Sequence, residues 1–232
     1  MNGFVRTLSE FSRVRTSRVL VQGSLAEALQ GLEKLVEQSQ PVRVSRALCW
    51  TWLVFTDGAY EKSDQGFGSV GGVLVSPHGT LIELFGERVN AEFLEILLGT
   101  SKHPIYELEI LPVLMAASLW ATYIAGGQVV FYIDNEAARS AFIQGVGATV
   151  HTKSMVQNFV RLEERIKIYS WFGRVPSHSN IADQPSRLQF TNPLFDTAKR
   201  IRVVDFAHFL EAGCDRVCSE NRGSLSGSIH YP

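Results

Sequence analysis

The pattern of hydrophobic and polar residues predicts strands in the first part of the central region. Residues 52–56 form an almost continuous hydrophobic run, which is typical of a strand buried on both faces and which stops at Asp57-Gly58. Two further runs, 66–76 and 81–89, are separated by a segment whose proline and glycine favour a tight turn. This part of the chain therefore predicts one strand followed by an antiparallel hairpin.

Helical spacing of the hydrophobic residues begins after the hairpin. Residues 106–125 are hydrophobic almost all round, which predicts a helix packed across a sheet. Because proline is tolerated near a helix start, Pro112 predicts that this helix begins close to Glu109 or is kinked there. The other predicted elements are strands at 128–133 and 166–175, helices at 135–144 and 149–165, a loop at 176–180, a short helix after Asp183 and a helical stretch at 197–212.

The two ends of the chain differ from its centre. Ser24 and Glu27 fit a capping box at the start of an amphipathic helix, Ser24–Gln38, within the first 48 residues. The tail from Ser219 is rich in serine and glycine, which predicts disorder. We therefore expect an N-terminal helical extension at 1–48, a principal domain at 49–190, and a C-terminal helix with a disordered tail at 191–232.

The order of these elements predicts an α/β fold. It consists of a five-stranded mixed sheet, whose first three strands are antiparallel, with helices on its faces. The strands at 52–56 and 128–133 both end at an aspartate. If these strands are adjacent and parallel, Asp57 and Asp134 meet at the carboxyl edge of the sheet, where α/β folds bind their ligands.

Two further acidic residues complete a candidate metal site. Glu109 lies near the start of a predicted helix that crosses the sheet, and Asp183 lies at the start of the last short helix. Four carboxylates within a few ångströms cannot all stay ionised without cations, because like charges raise one another's pKa. Ligands that are all oxygen favour Mg²⁺ or Mn²⁺ over zinc.

Composition and charge narrow the class of protein. With 232 residues, 45% of them hydrophobic and 19% charged, the chain has enough apolar material for one packed core. The net charge of −1 is not that of a basic nucleic-acid-binding protein. Acidic residues are nevertheless concentrated at 51–135, between basic flanks, which is compatible with a metal site inside a phosphate-binding surface.

The cellular setting is predicted from what the sequence lacks. It contains no uninterrupted apolar run of about 20 residues and no basic start followed by an apolar block, so we expect neither a membrane span nor a signal peptide. Three cysteines are too few and too uneven for a disulfide framework. A cytoplasmic or nuclear protein is the expectation.

Four short blocks carry a resemblance to a known family. They read VFTDGA at 54–59, EIL at 109–111 with Ala116 following, YIDNEAA at 132–138, and NIAD at 180–183 with Ser186-Arg187 following. In this order, each at the predicted end of its element, they resemble the signature blocks of ribonuclease H. The likeness is closest to the ribonuclease H domains of retrotransposon and retroviral reverse transcriptase polyproteins, and it covers about residues 50–187.

The resemblance implies a ribonuclease H-like fold and a nuclease that hydrolyses the RNA strand of RNA/DNA hybrids with two Mg²⁺ ions, for which Mn²⁺ can substitute. It implies that Asp57 bridges both ions, that Glu109 and Asp134 hold the ion on the leaving-group side, and that Asp183 holds the ion that activates the attacking water. His178 resembles the mobile-loop histidine that assists water activation or product release.

The resemblance also implies a substrate surface and partners. Substrate-binding positions are Gly58, Asn135, Tyr106 and Asn180, although Ile105-Tyr106 stands where relatives often carry Asn and Gln. The loop between His178 and Asp183 is shorter than in many relatives. Besides the hybrid, a reverse transcriptase domain is a possible partner through residues 1–48, which resemble a remnant of a preceding polymerase region.

Several alternatives remain open from the sequence. Asp57-Gly58 also fits a turn that ends a strand, Asp183 a carboxylate at a helix N-terminus, and His178 a surface residue. Glu107 competes with Glu109 for the role in the cluster. For the whole chain, one alternative is a catalytically inactive connection or scaffold module that binds nucleic acid or a polymerase partner. Another is a different enzyme of the same broad superfamily, such as an exonuclease or transposase.

Overall fold

The computed structural model describes residues 23–38, 50–62, 67–99 and 103–203, together with Phe206 and Phe209. Helix α1 (Ser24–Gln38) has the predicted bounds. Apart from Gly23 and α1, the predicted extension at 1–48 lies outside the described residues, and so does the tail predicted to be disordered.

One mixed sheet forms the centre of the described chain. Its strands are β1 (Thr51–Glu61), β2 (Phe67–Val75), β3 (Leu81–Arg88), β4 (Gln128–Ile133), β5 (Tyr169–Arg174) and β6 (Lys199–Arg200). They lie in the order β5-β4-β1-β2-β3-β6. β1 pairs antiparallel with β2, and β2 with β3, whereas β4 is parallel to β1 and β5 is parallel to β4. The α/β class and the antiparallel first three strands are confirmed.

The prediction of five strands is wrong by one, because β6 pairs in parallel with the edge of β3. A two-residue strand has no hydrophobic period, so the sequence gives no sign of it. β6 also replaces the start of the helical stretch expected at 197–212. Residues 201–203 are irregular, and most of the remainder of that stretch lies outside the described residues.

The expectation that β1 ends at Asp57 is also wrong. β1 continues to Glu61 and stays paired with β2 over its last residues, whereas its pairing with β4 stops at Thr56 opposite Ile133. The hydrophobic run therefore stops where β4 stops, since only the segment between two neighbouring strands needs apolar side chains on both faces. Asp57 lies inside β1, at the point where its neighbour ends.

The helices lie close to their predicted positions, but their number differs from the prediction. The segment expected as one helix at 106–125 forms two, which meet at Trp120, and the helix at 91–98 was not predicted. Asn135 and Thr149 cap the two helices that follow β4. The helices are α2 (Ala91–Leu98), α3 (Ile105–Leu119), α4 (Ala121–Ile124), α5 (Glu136–Gln144), α6 (Val150–Ile166) and α7 (Asp183–Ser186), with 3₁₀ turns at Ser177–Ser179 and Pro193–Phe195.

Helix α3 crosses the sheet against β1 at Gly58. It begins at Ile105, earlier than expected, and contains Pro112 in its interior. Pro112 has no N–H for the carbonyl of Leu108, one helical turn earlier. That carbonyl lies against Gly58, where a Cβ atom would overlap it and would lie 2.8 Å from the backbone nitrogen of Glu109. Glycine at position 58 therefore permits the approach that brings Glu109 to β1.

Hydrophobic side chains cover both faces of the sheet. The larger cluster packs α3, α5 and α6 on one face, where Trp120, Phe131 and Phe159 are wholly or almost wholly buried. Val73 and Leu84 point to the opposite face and pack there with Ala182 and Phe195, because side chains alternate along a strand. The segment that contains α7 is therefore held to the sheet by a core of its own.

We expect Gly58→Ala to reduce the free energy of unfolding by about 1–3 kcal/mol, because the added methyl group must push α3 away from β1. Urea denaturation of the purified chain measures this change. Gly99→Ala is the control: Gly99 has a φ of −60° and an exposed position. The control should alter stability by no more than about 0.5 kcal/mol. Equal effects of the two substitutions would contradict the close approach at Gly58.

Candidate metal centre

Three carboxylates meet at the carboxyl edge of the sheet. Asp57 lies in β1 just beyond the end of β4, Asp134 directly follows β4, and Glu109 projects from α3. Each of the three offers one oxygen, and these oxygens all lie within 4.8 Å of one another. Of the two glutamates that competed in the sequence, Glu109 joins this group, whereas Glu107 is wholly buried outside it.

The three carboxylates open into a pocket of about 300 Å³. Asp183 lines the same pocket, so the fourth predicted ligand lies at the site but not within the tight group of three. Arg187 also lines the pocket, and its Nε lies 3.0 Å from Oδ1 of Asp183. This ion pair is half exposed, and pairs of that kind contribute little energy in water. It therefore leaves Asp183 able to exchange its partner for a cation.

Asp57 is buried and is held by hydrogen bonds to both of its carboxylate oxygens. The Asn180 side chain donates to Oδ1 at 3.3 Å, and the Ser186 hydroxyl donates to Oδ2 at 2.5 Å. Asn180 also donates to the backbone carbonyl of Thr56, at 3.0 Å. These contacts fix the orientation of the carboxylate at the centre of the group.

Burial and mutual repulsion disfavour ionisation of these carboxyl groups when no cation is bound. Burial, against an opposing hydrogen bond from Ser186 and with smaller contributions from the charges of Asp134 and Asp183, raises the pKa of Asp57 to about 7. Burial likewise raises the pKa of Glu109 to about 9, with added repulsion from Asp57 and Asp134 and an opposing hydrogen bond from the Gly58 N–H.

The residues present fit a divalent cation. Among the described residues, Oε2 of Glu109 and Oδ1 of Asp134 are buried without a hydrogen-bond partner. A buried acceptor without a partner is costly, and a hard cation bound by oxygen ligands would satisfy both atoms. The donor set contains oxygen only, which favours Mg²⁺ or Mn²⁺.

The residues predicted to bind substrate occupy different environments. Gly58 lines the pocket. Asn135 is half-buried, and its Oδ1 accepts from the backbone nitrogen of Ala138 as the cap of α5. Tyr106 packs partly buried against the core, while its neighbour Ile105 lines the pocket. The roles of these residues in binding stay predictions.

Two other predicted site residues, Asn180 and His178, lie in the segment that follows β5. Asn180 is buried, and its amide is engaged with Thr56, Asp57 and the backbone nitrogen of Ala182. These contacts make Asn180 a support for Asp57, and its role in substrate binding stays a prediction. His178 is exposed in the 3₁₀ turn beside the pocket, and its catalytic role stays a prediction.

Ser186 and Arg187 stand in the fourth of the blocks, but the sequence predicted no role for either. Ser186 of α7 contacts Asp57 in the distant strand β1. The contact of Arg187 with Asp183 depends on the geometry of the four-residue helix α7. Hydroxyl and guanidinium side chains in such positions carry no sequence signal of their own. The pairing of Ser69 with Ser186, residues 117 positions apart, is of the same kind.

The comparisons with known proteins find similar folds. No protein-family model matches the sequence, and no curated protein matches it. Ribonuclease H1 of Halobacterium salinarum is 18% identical, with 58% of this chain and 96% of that chain covered and a TM-score of 0.38. The ribonuclease H domain of prototype foamy virus (PFV) is 15% identical. That match covers 61% of this chain and 97% of that chain, with a TM-score of 0.40.

A longer viral protein is similar over more of the chain. The foamy viral protease-reverse transcriptase, in a structure with an RNA/DNA hybrid, is 13% identical, and the TM-score is 0.45. The match covers 79% of this chain and 26% of that one. The likeness to these structures concerns the fold alone.

We expect the metal-free protein to lose stability as pH rises from about 4.5 towards 9. The raised pKa of Glu109 means that the folded chain keeps a proton that the unfolded chain releases in this range. Glu109→Gln removes that penalty, so at pH 8.5 the variant should be more stable by an amount on the order of 2 kcal/mol, or roughly 4–8 °C in melting temperature. Thermal denaturation in EDTA measures the shift.

At pH 4.5 the folded chain keeps Glu109 protonated and the unfolded chain is about half protonated there, so the penalty is small and the same substitution should have little effect. Glu164→Gln, an exposed carboxylate on α6, is the control and should leave the melting temperature unchanged at both pH values. A Glu109→Gln variant less stable than the parent at pH 8.5 would contradict the electrostatic account.

Proposed function

We propose that this chain is a divalent-metal-dependent endoribonuclease that hydrolyses the RNA strand of RNA/DNA hybrids. The observation that carries the proposal is the convergence of Asp57, Glu109 and Asp134 within 4.8 Å, with Asp183 in the same pocket. The four sequence blocks that resemble ribonuclease H are the blocks that contain these four residues. Sequence resemblance and geometry thus support the same chemistry.

The proposed mechanism uses two cations. Asp57 would ligate both, Glu109 and Asp134 would complete the ligands of one, and Asp183 would hold the other after leaving Arg187. When bound, such ions stabilise the charge that develops in a phosphoryl displacement and lower the pKa of a bound water. The chain itself contributes the fixed orientation of Asp57, the buried position of Glu109 and the opening of the pocket to solvent.

Recognition of the RNA strand would take place around this pocket. Asn135 uses its side-chain oxygen for the cap of α5, so its amide Nδ2 is the group that would meet a 2′-hydroxyl. Gly58 lines the pocket and would contribute backbone groups to the same recognition. Arg187, which is exposed and lines the same pocket, would be free to pair with a phosphate once Asp183 takes a cation.

The wider setting is also proposed. The sequence blocks favour an origin in a retroelement, with residues 1–48 as the side that meets a reverse transcriptase domain, in the cytoplasm or the nucleus. In the part of the chain that the structure describes, no helix is long and apolar enough to cross a membrane.

Incubation of the purified chain with an RNA/DNA hybrid labelled on each strand tests the function. We expect cleavage of the RNA strand in Mg²⁺ or Mn²⁺ and none in EDTA. Asp134→Asn should reduce the rate at least about a hundredfold, because a ligand of the catalytic ions is worth several kcal/mol in the transition state.

Asp196→Asn, which changes an exposed aspartate away from the pocket, is the matched control and should cleave at the parent rate. Binding of the hybrid in EDTA without cleavage in either metal would contradict the proposal. It would support instead the inactive scaffold module that the sequence left open.

A further inference from the structure

Ser186 is a wholly buried residue of α7 whose hydroxyl reaches the central carboxylate of the metal centre. Its Oγ lies 2.5 Å from Oδ2 of Asp57 and 2.8 Å from the backbone carbonyl oxygen of Asp183. A hydroxyl has one proton, so it donates to one of these acceptors at a time. The shorter contact, to a carboxylate, is the charge-assisted one and is the stronger.

The sheet itself holds Ser186 in this position. The hydroxyl of Ser69, also wholly buried, donates from β2 to the backbone carbonyl of Ser186 at 2.5 Å. The backbone of Ser186 packs on Gly71 of β2 so closely that a Cβ atom there would overlap its nitrogen. Gly86 of β3 accommodates the carbonyl of Pro185 in the same way. The hydroxyl therefore has little freedom to move away from Asp57.

The second donor to Asp57 comes from the same segment of chain. Asn180 donates to Oδ1, three residues before Asp183, and Ser186 donates to Oδ2, three residues after it. Both hydrogen bonds to the central carboxylate thus come from residues that flank the fourth predicted ligand. The arrangement ties the position of Asp183 to the orientation of Asp57.

We infer that Ser186 is a positioning residue of the metal centre: its hydroxyl orients the Asp57 carboxylate towards the cations and couples it to the helix that carries Asp183. The inference rests on the metal site of the proposed function. A role confined to holding α7 on the sheet would need only the backbone contacts with Ser69 and Gly71, and those contacts do not involve the Ser186 side chain.

Direct measurement of metal binding separates the two roles. Partners that orient a ligand from outside the coordination shell change metal affinity by about 10- to 100-fold. We expect Ser186→Ala to weaken Mn²⁺ binding to the full chain, without nucleic acid, at least about tenfold, as measured by calorimetry and by the Mn²⁺ electron paramagnetic resonance signal. Circular dichroism first establishes that each variant is folded at the temperature used.

Ser69→Ala is the matched control: it removes an equally buried hydroxyl that touches α7 but not Asp57, and the close packing of α7 on Gly71 and Gly86 still holds Ser186 in place. It should lower the melting temperature and keep Mn²⁺ affinity within about twofold of the parent, well below the effect of losing an orienting partner. If Ser186→Ala does not fold, Ser186→Cys keeps a side chain of similar size with only a weak donor and should show the same loss of affinity.

Parent-like Mn²⁺ affinity in a folded Ser186→Ala or Ser186→Cys variant would overturn the inference. An equal loss in Ser69→Ala would overturn it as well, because the effect would then follow α7 and not the hydroxyl. The result is independent of hybrid cleavage: a parent chain that binds Mn²⁺ through Ser186-dependent carboxylates but cuts no hybrid supports the inference and contradicts the proposed function.

Discussion

The contact between the backbone of α3 and Gly58 of β1 is the constraint on which the metal centre depends. A side chain at position 58 would overlap the Leu108 carbonyl, so only glycine lets the helix approach closely enough for Glu109 to join Asp57 and Asp134. Pro112 belongs to the same contact, because it leaves the Leu108 carbonyl without its helical partner. The Gly58 N–H in turn donates to the Glu109 carboxylate, so one residue both makes room for the glutamate and helps to hold it.

Bringing the three carboxylates together has an energetic cost, which indicates that the site serves a function. Three carboxylates within 4.8 Å, two of them buried, raise the pKa of Asp57 and of Glu109 and leave two oxygens without hydrogen bonds. A chain selected for stability alone would avoid such an arrangement, since neutral or apolar groups would pack there without penalty. Buried groups with shifted pKa in an open pocket are characteristic of functional sites. The surrounding donors, Asn180 and Ser186, reduce the penalty at Asp57 without neutralising it.

The sequence predicted the elements whose side chains follow a period, and it missed those that depend on contacts between distant segments. β4 was predicted with its observed ends, and Asn135 and Thr149 marked the helix starts. Capping residues and the hydrophobic pattern of a strand can both be read from neighbouring positions in the sequence. β6 and the role of Ser186 depend on neighbours more than 100 residues away. Asp57 was identified for a partly wrong reason: the hydrophobic run ended there because β4 ends, while β1 continues. The four blocks located the acidic residues, but the ion pair of Asp183 with Arg187 could be seen only in the structure.

The central claim is that Asp57, Glu109 and Asp134 together form a cation site, and anomalous diffraction tests it most directly. Crystals of the full chain soaked in Mn²⁺ should show an anomalous peak within about 2.2 Å of oxygens from all three carboxylates, since this is the distance expected for a hard cation of this size. The peak should be absent from crystals of Glu109→Gln soaked in the same way. Ordered carboxylates with no Mn²⁺ between them, or a peak elsewhere that survives Glu109→Gln, would contradict the account.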